Sequence, residues 1–420
     1  MKRATRSTVE RSLPHRQIAL FASLRFRDFR LLWIGLLISN LGSWMQLTAT
    51  GYFIAKLAGS AEVSALYLGI QGLARAVPVI LCSPIAGVIA DTLPRRRVLF
   101  VTNTVMSLIA LALALLTTFG RMHIFGLIVI SALNSVAVSF DSPARQSWVP
   151  LLVDREYIGN AIGLNSIAFN APAVIGPALA GILIAGIGIA GSFYVNAVAT
   201  LAVVAALFFM KPAPATNKKR EALLPSITEG LHFLFTHRIL RWIIGVFIVT
   251  AILVRPYSTL LPAFAVNVFH ANAKGLGVAI AATGIGGFAG ALLTAYVGSH
   301  ERRGVLWLVS GLAMSVGVML LGLTPNLFAA LPVLFIIGTA TLSFLGASNT
   351  LIQTLSPDQV RGRAISVYTM VAVGVVPGGA FVLGSIAAFI GLHATFFTSG
   401  SLCTLFVAWL WISRPVVRTV

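Results

Sequence analysis

The sequence predicts an all-α integral membrane protein in which twelve transmembrane helices form two pseudo-symmetric halves of six helices each. Three observations support this fold class. The 420 residues are 58% hydrophobic and only 10% charged, whereas soluble domains carry about a quarter charged residues. The basic residues fall in alternate loops, and the second half of the chain repeats a pattern of the first half. A duplicated bundle that crosses a bilayer accounts for all three.

Twelve apolar segments are long enough to cross a hydrocarbon core about 30 Å thick as helices. We expect helices because backbone polar groups in lipid have no water with which to pair. The first segment has full length and no cleavage site of small residues, which favours a retained helix over a signal peptide. The segments are 31–54, 64–91, 98–119, 123–143, 160–187, 190–210, 239–266, 275–298, 304–323, 326–348, 364–390 and 394–413.

These segments divide the chain into five parts. The linker between the halves is basic, and its Ser226 and Glu229 form a capping-box pattern that predicts a short amphipathic helix. The parts are the basic N-terminal segment 1–30, the first six-helix half 31–210, the linker 211–238, the second six-helix half 239–413 and the tail 414–420.

The distribution of charge predicts the orientation of the chain. Lys and Arg number 30 against 11 acidic residues, which gives a net charge of +19. With twelve helices, 25 of the basic residues lie on the side of both termini, and only Lys56, Arg121 and Lys274 lie on the other side. The positive-inside rule then predicts that both termini are cytoplasmic. Because topology accounts for the basic excess, we expect no binding to nucleic acid.

An offset of 203 residues aligns the two halves. Residues 151–164 align with 354–367, and several coincident pairs occur without a gap. Two halves with the same orientation are typical of duplicated transporters with a substrate cavity at the interface. The coincident pairs include Gly159/Gly362, Gly176/Gly379, Gly181/Gly384, Gly188/Gly391 and Phe193/Phe396.

The loop after the second segment concentrates charge. In GVIADTLPRRR, Gly87 lies one helical turn before Asp91, and Arg95 and Arg96 follow. A carboxylate at a helix end can cap a neighbouring helix or pair with an arginine, and a glycine permits close approach of another helix. These four residues are therefore candidates for a conformational latch. The alternative is a positive-inside loop with an incidental aspartate.

This stretch resembles the loop signature of the major facilitator superfamily, Gly-x-x-x-Asp-Arg-x-Gly-Arg-Arg, with Thr92 and Pro94 in place of two signature residues. The segments FRDFRLLWIGLLISNLGSWMQ, SFDSPARQSWVPLLV and PDQVRGRAISVY are similar to the exporter branch that includes macrolide-efflux and enterobactin-exporter proteins. The resemblance covers nearly the whole chain. It implies a secondary active transporter of the bacterial inner membrane that exports a small amphipathic molecule, drug-like or siderophore-like, by proton-coupled alternating access.

The segment NAPAVIGPALAG is similar to the fifth-helix motif of drug–proton antiporters, which Gly176, Pro177 and Gly181 match. Proline removes a backbone hydrogen bond and bends a helix, while glycine permits close packing. The resemblance implies a gating helix, and a kinked packing helix without a gating role is the alternative.

Two full charges fall inside apolar segments, at Arg75 and Arg255. An arginine within the membrane is costly and faces a cavity or a partner. Both are candidates for the substrate pathway, and the alternative is a structural partner such as a carbonyl freed by a broken helix. Lower-ranked candidates for the same pathway are Gln46, Gln71, Asn134, Asn165 and Tyr257.

Acidic residues are absent from the middle of the apolar segments. Asp141, near the cytoplasmic end of the fourth segment, is therefore the best candidate for proton coupling, and a cap next to Pro143 is its alternative. The missing acids leave open an uncoupled facilitator or importer. A non-transporting receptor or scaffold is less favoured because it has no need of buried arginines.

Several kinds of chemistry are not expected. The chain has no phosphate-binding Gly-x-x-x-x-Gly-Lys-Ser/Thr stretch, and its only cysteines, Cys82 and Cys403, lack disulfide or metal spacing. No arrangement of Ser, His, Asp or Cys suggests catalysis. We expect no enzyme activity, metal or cofactor. The expected partners are a small-molecule substrate, the lipid bilayer and protons, and the expected state is a monomer.

Overall fold

The computed structural model describes residues 21–210, 232–297 and 303–418, and these residues form helices without a strand. The predicted amphipathic helix with Ser226 and Glu229 lies outside the described residues. The helices are α1 (Arg27–Ala58), α2 (Ala61–Thr92), α3 (Arg95–Thr118), α4 (Ile124–Trp148), α5 (Ile158–Phe209), α6 (Leu240–Leu253), α7 (Tyr257–Ala263), α8 (Ala273–Val297), α9 (Arg303–Leu321), α10 (Leu327–Leu355), α11 (Asp358–Ile390) and α12 (Leu392–Ser413).

Helix α5 contains two membrane crossings rather than one. Its 52 residues would extend about 78 Å if straight, far more than a hydrocarbon core. Gly188 interrupts it with φ 77° and ψ 177°, a conformation that glycine adopts readily because it has no Cβ. Gly391, its partner at the offset of 203, has φ 80° and separates α11 from α12. Repeat-related glycines therefore make the same turn in each half.

The described chain has eleven helical segments that are long and apolar enough to cross a membrane, and α5 is one of them. Because α5 holds two crossings, the described residues account for twelve. The predicted fold class is confirmed.

The seventh crossing is not the continuous helix that the sequence predicts over 239–266. Helix α6 ends at Leu253, and α7 begins at Tyr257 and continues into a π-helical turn, Phe264–Val268. Pro256 lies between α6 and α7, where it has no N–H to donate and its ring clashes with the preceding turn. Arg255 therefore lies in the break, with its backbone N–H bonded to the carbonyl of Thr250 at 2.9 Å.

The bundle has two ends that differ in charge. We call the end that carries Arg97 and Arg414 the basic face, and the end that carries Lys56, Arg121 and Lys274 the opposite face. Residues at both ends of the described chain belong to the basic face, as an even number of crossings requires.

The two halves contact one another through α2 with α11 and through α5 with α8. Near the opposite face these contacts are backbone to backbone. A Cβ on Gly181 would lie 2.7 Å from the carbonyl oxygen of Ala273, and a Cβ on Gly384 would lie 2.5 Å from that of Ala65. Real Cβ atoms do not approach so closely, so only glycine permits these two contacts. Gly181 and Gly384 are equivalent at the offset of 203 residues, so one such contact closes the α5–α8 interface and the other closes the α2–α11 interface.

A hydrogen-bonded side chain adds to this seal. Asn267 Nδ2 in the π-helical turn donates to Ser64 Oγ at 2.7 Å and to the carbonyl of Ala55 at 3.2 Å. Toward the basic face, no described atom lies within 4 Å of a Cβ position on Gly159. The backbone contacts that glycine makes possible between the described parts of the halves therefore lie toward the opposite face.

Candidate functional site

A cavity of about 240 Å³ lies inside the first half and is lined by residues of α1 to α5. Five of the residues that the sequence singles out line it: Gln46, Gln71, Arg75, Asn134 and Asp141. The structure does not bring the other candidates into this cavity. Asn165, Arg255 and Tyr257 lie elsewhere in the bundle.

Arg75 extends into this cavity from the middle of α2 and is exposed there. Among the described residues, its guanidinium has no hydrogen bond and no carboxylate within 4.0 Å. An arginine at this depth costs at least ~2.5 kcal/mol when it faces lipid. Because it faces a polar cavity instead, water or a ligand can solvate the charge.

Asp141 lies about two turns before the end of α4, where it is 7% exposed. Asn103 Nδ2 and Thr102 Oγ1 donate to Asp141 Oδ1 at 2.7 and 3.2 Å, and Arg145 Nε lies 3.5 Å from Asp141 Oδ2. Hydrogen bonds to a charged group are stronger than those between neutral groups. The carboxylate therefore has a partner on each oxygen and ties α3 to α4.

The sequence analysis did not single out Arg145, which is one of the 25 basic residues on the side of the termini. Arg145 lies in the last turn of α4, lines the cavity, and has its guanidinium 5.7 Å from the centroid of the Phe169 ring of α5. The signal that was missed is the spacing of four residues between Asp141 and Arg145, which places opposite charges on one helix face. Because Pro143 is tolerated inside α4, it does not mark the end of the helix.

The amide side chains of the cavity wall connect neighbouring helices. Asn196, which sequence analysis did not identify, donates from Nδ2 to Gln46 Oε1 at 2.6 Å, and Gln71 Nε2 donates to Ser131 Oγ at 3.3 Å. The first bond joins α1 to the second crossing of α5, and the second bond joins α2 to α4. These amides hold the shape of the cavity and still present polar atoms to it.

Arg255 lies among aromatic side chains of the second half. Its guanidinium is 5.6 Å from the centroid of the Phe247 ring, and it lies within electrostatic range of Tyr257 and Tyr368. Tyr257 is 3% exposed. An arginine over aromatic faces is stabilised by cation–π attraction, so Arg255 has partners among the described residues, whereas Arg75 has none there.

The two arginines nevertheless lie at a similar depth. A Cβ on Gly72 of α2 would be 3.8 Å from Thr259 Cγ2 of α7, which marks a contact between the halves. Arg75 is three residues from Gly72, and Arg255 is four residues from Thr259. Both arginines lie on the basic-face side of this contact. At 1.5 Å per residue these separations are about 4.5 and 6 Å.

The predicted latch residues lie at the basic face. Gly87 is in α2, and the side chain of Asp91 lies outside the described residues. Arg95 Nε donates to Ser147 Oγ at 2.9 Å, and Arg96 Nε donates to the carbonyl of Leu207 at 2.8 Å. Both acceptors belong to the first half, and Arg96 stabilises the C-terminal end of α5. The latch stays a prediction.

The predicted gating motif contacts both halves. Gly176 faces α1 of its own half, where a Cβ would be 2.7 Å from Trp44 Cβ. One residue later, the carbonyl oxygen of Pro177 is 2.8 Å from a Cβ position on Gly277 of α8, and Gly181 continues this contact with the second half. The motif thus lies at the contact that must break if the halves move apart.

Comparisons with known proteins agree with a bundle of membrane-spanning helices. The model of the family described as transmembrane secretion effector matches residues 18–419. The multidrug efflux pump Tap of Mycolicibacterium fortuitum is 27% identical over 343 residues, which cover 79% of this chain and 83% of the relative. Macrolide efflux protein A of Streptococcus pyogenes is 21% identical and covers 89% of this chain and 93% of its own.

A solved structure shows the same fold. A bacterial homologue of the human lysosomal transporter Spinster, in an inward-facing and unoccupied conformation, superposes with a TM-score of 0.69 over 93% of this chain and 96% of that chain. The two sequences are 16% identical. At this identity the similarity supports the arrangement of the helices and says nothing about the substrate or the site residues.

Proposed function

Since this chain belongs to the transmembrane secretion effector family of the major facilitator superfamily, it is a membrane transporter, and we propose that it exports a small amphipathic molecule, drug-like or siderophore-like, from the bacterial cytoplasm. The basic face is then cytoplasmic, with both termini on that side. Export proceeds by alternating access, in which the 31–210 half rocks against the 239–413 half.

The observation that carries this proposal is the polar cavity of the first half, in a bundle whose halves are held together by close backbone contacts at the opposite face. The lining of the cavity extends from Thr50 and Gln71 to Arg145 in the last turn of α4, toward the basic face, and in this proposal a molecule enters the cavity from that face. Release requires separation of the Gly181–Ala273 and Gly384–Ala65 contacts at the opposite face. Closure at the basic face then prevents return, and the predicted latch of Gly87, Asp91, Arg95 and Arg96 acts there.

Asp141 is the proposed coupling residue. It is the only acidic side chain in the described lining of the cavity, and a proton on its carboxyl group would remove the charge that faces Arg145. Loss of the charge also weakens the hydrogen bonds from Thr102 and Asn103 to the same carboxyl group, which join α3 to α4. Protonation could thereby be linked to the rocking of the halves.

An uncoupled facilitator or importer is the second candidate. The contacts of Asp141 favour it, because the carboxylate has structural partners on both oxygens, and a role in holding α3 against α4 accounts for its position. The two candidates differ in their response to a pH gradient.

Counterflow of radiolabelled erythromycin in proteoliposomes, with and without an imposed pH gradient, tests the proposal. We expect counterflow in both cases and accumulation against a gradient of erythromycin only with a pH gradient. Asp141→Asn should retain counterflow and lose the accumulation. Counterflow without any response to pH would support the uncoupled facilitator, and the absence of uptake above empty liposomes would contradict export of a macrolide.

A further inference from the structure

We propose that the preferred substrate carries an acidic group, such as a carboxylate, which pairs with Arg75 in the cavity. This inference rests on the proposed function and adds to it the chemical class of the substrate. It predicts that an anionic amphipathic molecule binds more tightly than a neutral one with the same apolar part, while molecules without an acidic group, such as erythromycin, are weaker substrates.

The first step of the argument is the lack of a partner for Arg75. The other charged groups of the described lining are already paired, Asp141 with Arg145 and Asn103, and the amide of Gln46 is bonded to Asn196. Arg75 alone among the described charged residues of the lining has no hydrogen bond and no ion pair. A guanidinium presents five donors in a planar fork that fits a carboxylate.

The second step is the charge balance of the cavity. Its described lining contains the cations Arg75 and Arg145 and the single anion Asp141, which lies against Arg145. The lining therefore has an excess of one positive charge, at Arg75. Away from bulk water such a charge attracts an anion and repels a cation more strongly than it would in solvent.

The third step is the position of Arg75 relative to the apolar part of the lining. Arg75 lies about one turn from Gly72, where the halves meet, and Arg255 of the second half lies at a similar depth. Apolar side chains of Leu36, Met106 and Val138 also line the cavity. A molecule with its acidic end at Arg75 can place its apolar part against these side chains, which explains why the substrate is amphipathic.

Binding of two matched fluorescent probes tests this inference on the whole chain. Dansylglycine carries a carboxylate, and dansylglycinamide has the same fluorophore without the charge. We measure the affinity of the purified protein in nanodiscs for each probe, with empty nanodiscs as the blank. Dansylglycine should bind about 10- to 100-fold more tightly, which is the range for a hydrogen bond to a charged group.

Three variants identify the residue responsible. Arg75→Gln should bind both probes with the affinity that the unchanged protein has for dansylglycinamide, and Arg75→Lys should retain part of the preference. Arg97→Gln removes an exposed charge at the basic face and should leave both affinities unchanged. Retained binding of dansylglycinamide shows that Arg75→Gln is folded.

Equal affinity of the unchanged protein for both probes would overturn the inference without any variant. So would a preference for dansylglycine that survives in Arg75→Gln. Erythromycin counterflow separates this inference from the proposed function. Counterflow of erythromycin without a preference for dansylglycine would support export and contradict an acidic substrate. An Arg75-dependent preference for dansylglycine without erythromycin counterflow would support the anion site and contradict export of that macrolide.

Discussion

The two halves have the same arrangement of helices but differ in the side chains at the C-terminal part of α4 and at the equivalent positions of α10. These helices begin at Ile124 and Leu327, so the offset of 203 places Phe344 at the position of Asp141 and Ser348 at that of Arg145. The first half thus has an ion pair beside a cavity where the second half has an aromatic residue and a hydroxyl.

The second half is densely packed at this position. Phe344 is fully buried and stacks on Trp307 and Phe247, with centroids 5.6 and 6.0 Å apart. Trp307 Nε1 donates to Ser348 Oγ at 2.9 Å. Aromatic pairs in such arrangements stabilise a core beyond the area that they bury. The comparison suggests that the second half is the rigid body and that the first half carries the binding chemistry.

Removal of the stacked ring should have the largest effect. Phe344→Ala is expected to lower the stability of the protein by about 3–5 kcal/mol, because it leaves a cavity in a close-packed core. Thermal unfolding in detergent, followed by circular dichroism, measures this loss. Phe169→Ala, which removes a ring of the cavity wall that is 48% exposed, is the matched control and should have little effect. Equal losses in both variants would remove the distinction between the halves.

The two intramembrane arginines should behave differently. Arg75→Gln is expected to reduce transport at least about tenfold, equivalent to ~1.4 kcal/mol, while the amount of folded protein stays the same. Arg255→Gln should instead lower the melting temperature, because it removes the cation from the Phe247 ring. Transport per folded molecule and thermal unfolding, measured on both variants, check this. Loss of folding in Arg75→Gln would indicate a structural role for that residue as well.

The repeat predicts that substitutions at its two equivalent glycines, Gly181 and Gly384, have equal effects on the conformational equilibrium. Gly181→Leu and Gly384→Leu each place a side chain against a backbone carbonyl, so each should disfavour the conformation that is open at the basic face. We expect a shift of several-fold or more in the population of that state, since about 1.4 kcal/mol changes an equilibrium tenfold.

Labelling of a cysteine at Ser39 in the cavity, in a variant that also carries Cys82→Ser, reports this shift through an impermeant maleimide applied to the basic face. Both variants should label more slowly. Gly159→Leu is the control, because it meets nothing within 4 Å in this conformation and should not slow labelling. A response at only one of the two sealing glycines would show that the halves do not seal symmetrically.

The smallest effect is expected at the predicted latch. If Asp91 stabilises the state that is closed at the basic face by a charge-assisted contact of about 1 kcal/mol, Asp91→Asn shifts the two-state equilibrium roughly 5-fold toward opening at that face. Labelling of the same cysteine should rise and transport should fall. Unchanged labelling would leave Asp91 as an ordinary residue of the loop.

The sequence by itself determined the number of helices and their division into two halves. These features depend on the length of apolar segments and on glycine spacing, which are local properties of the chain. The turn at Gly188 and its counterpart at Gly391 illustrate this, because a glycine with positive φ is needed at the same place in each half. The resemblance to the superfamily followed from equally local motifs.

Only the tertiary structure decided which polar residues meet. Arg75 and Arg255 are alike in sequence, since each is a single arginine in an apolar segment, yet one faces a cavity and the other lies against aromatic rings. Asn103 and Asp141 are 38 residues apart and become neighbours only when α3 packs on α4. Which side of each helix faces a cavity depends on the packing of several helices at once, and no pattern within one segment contains that information.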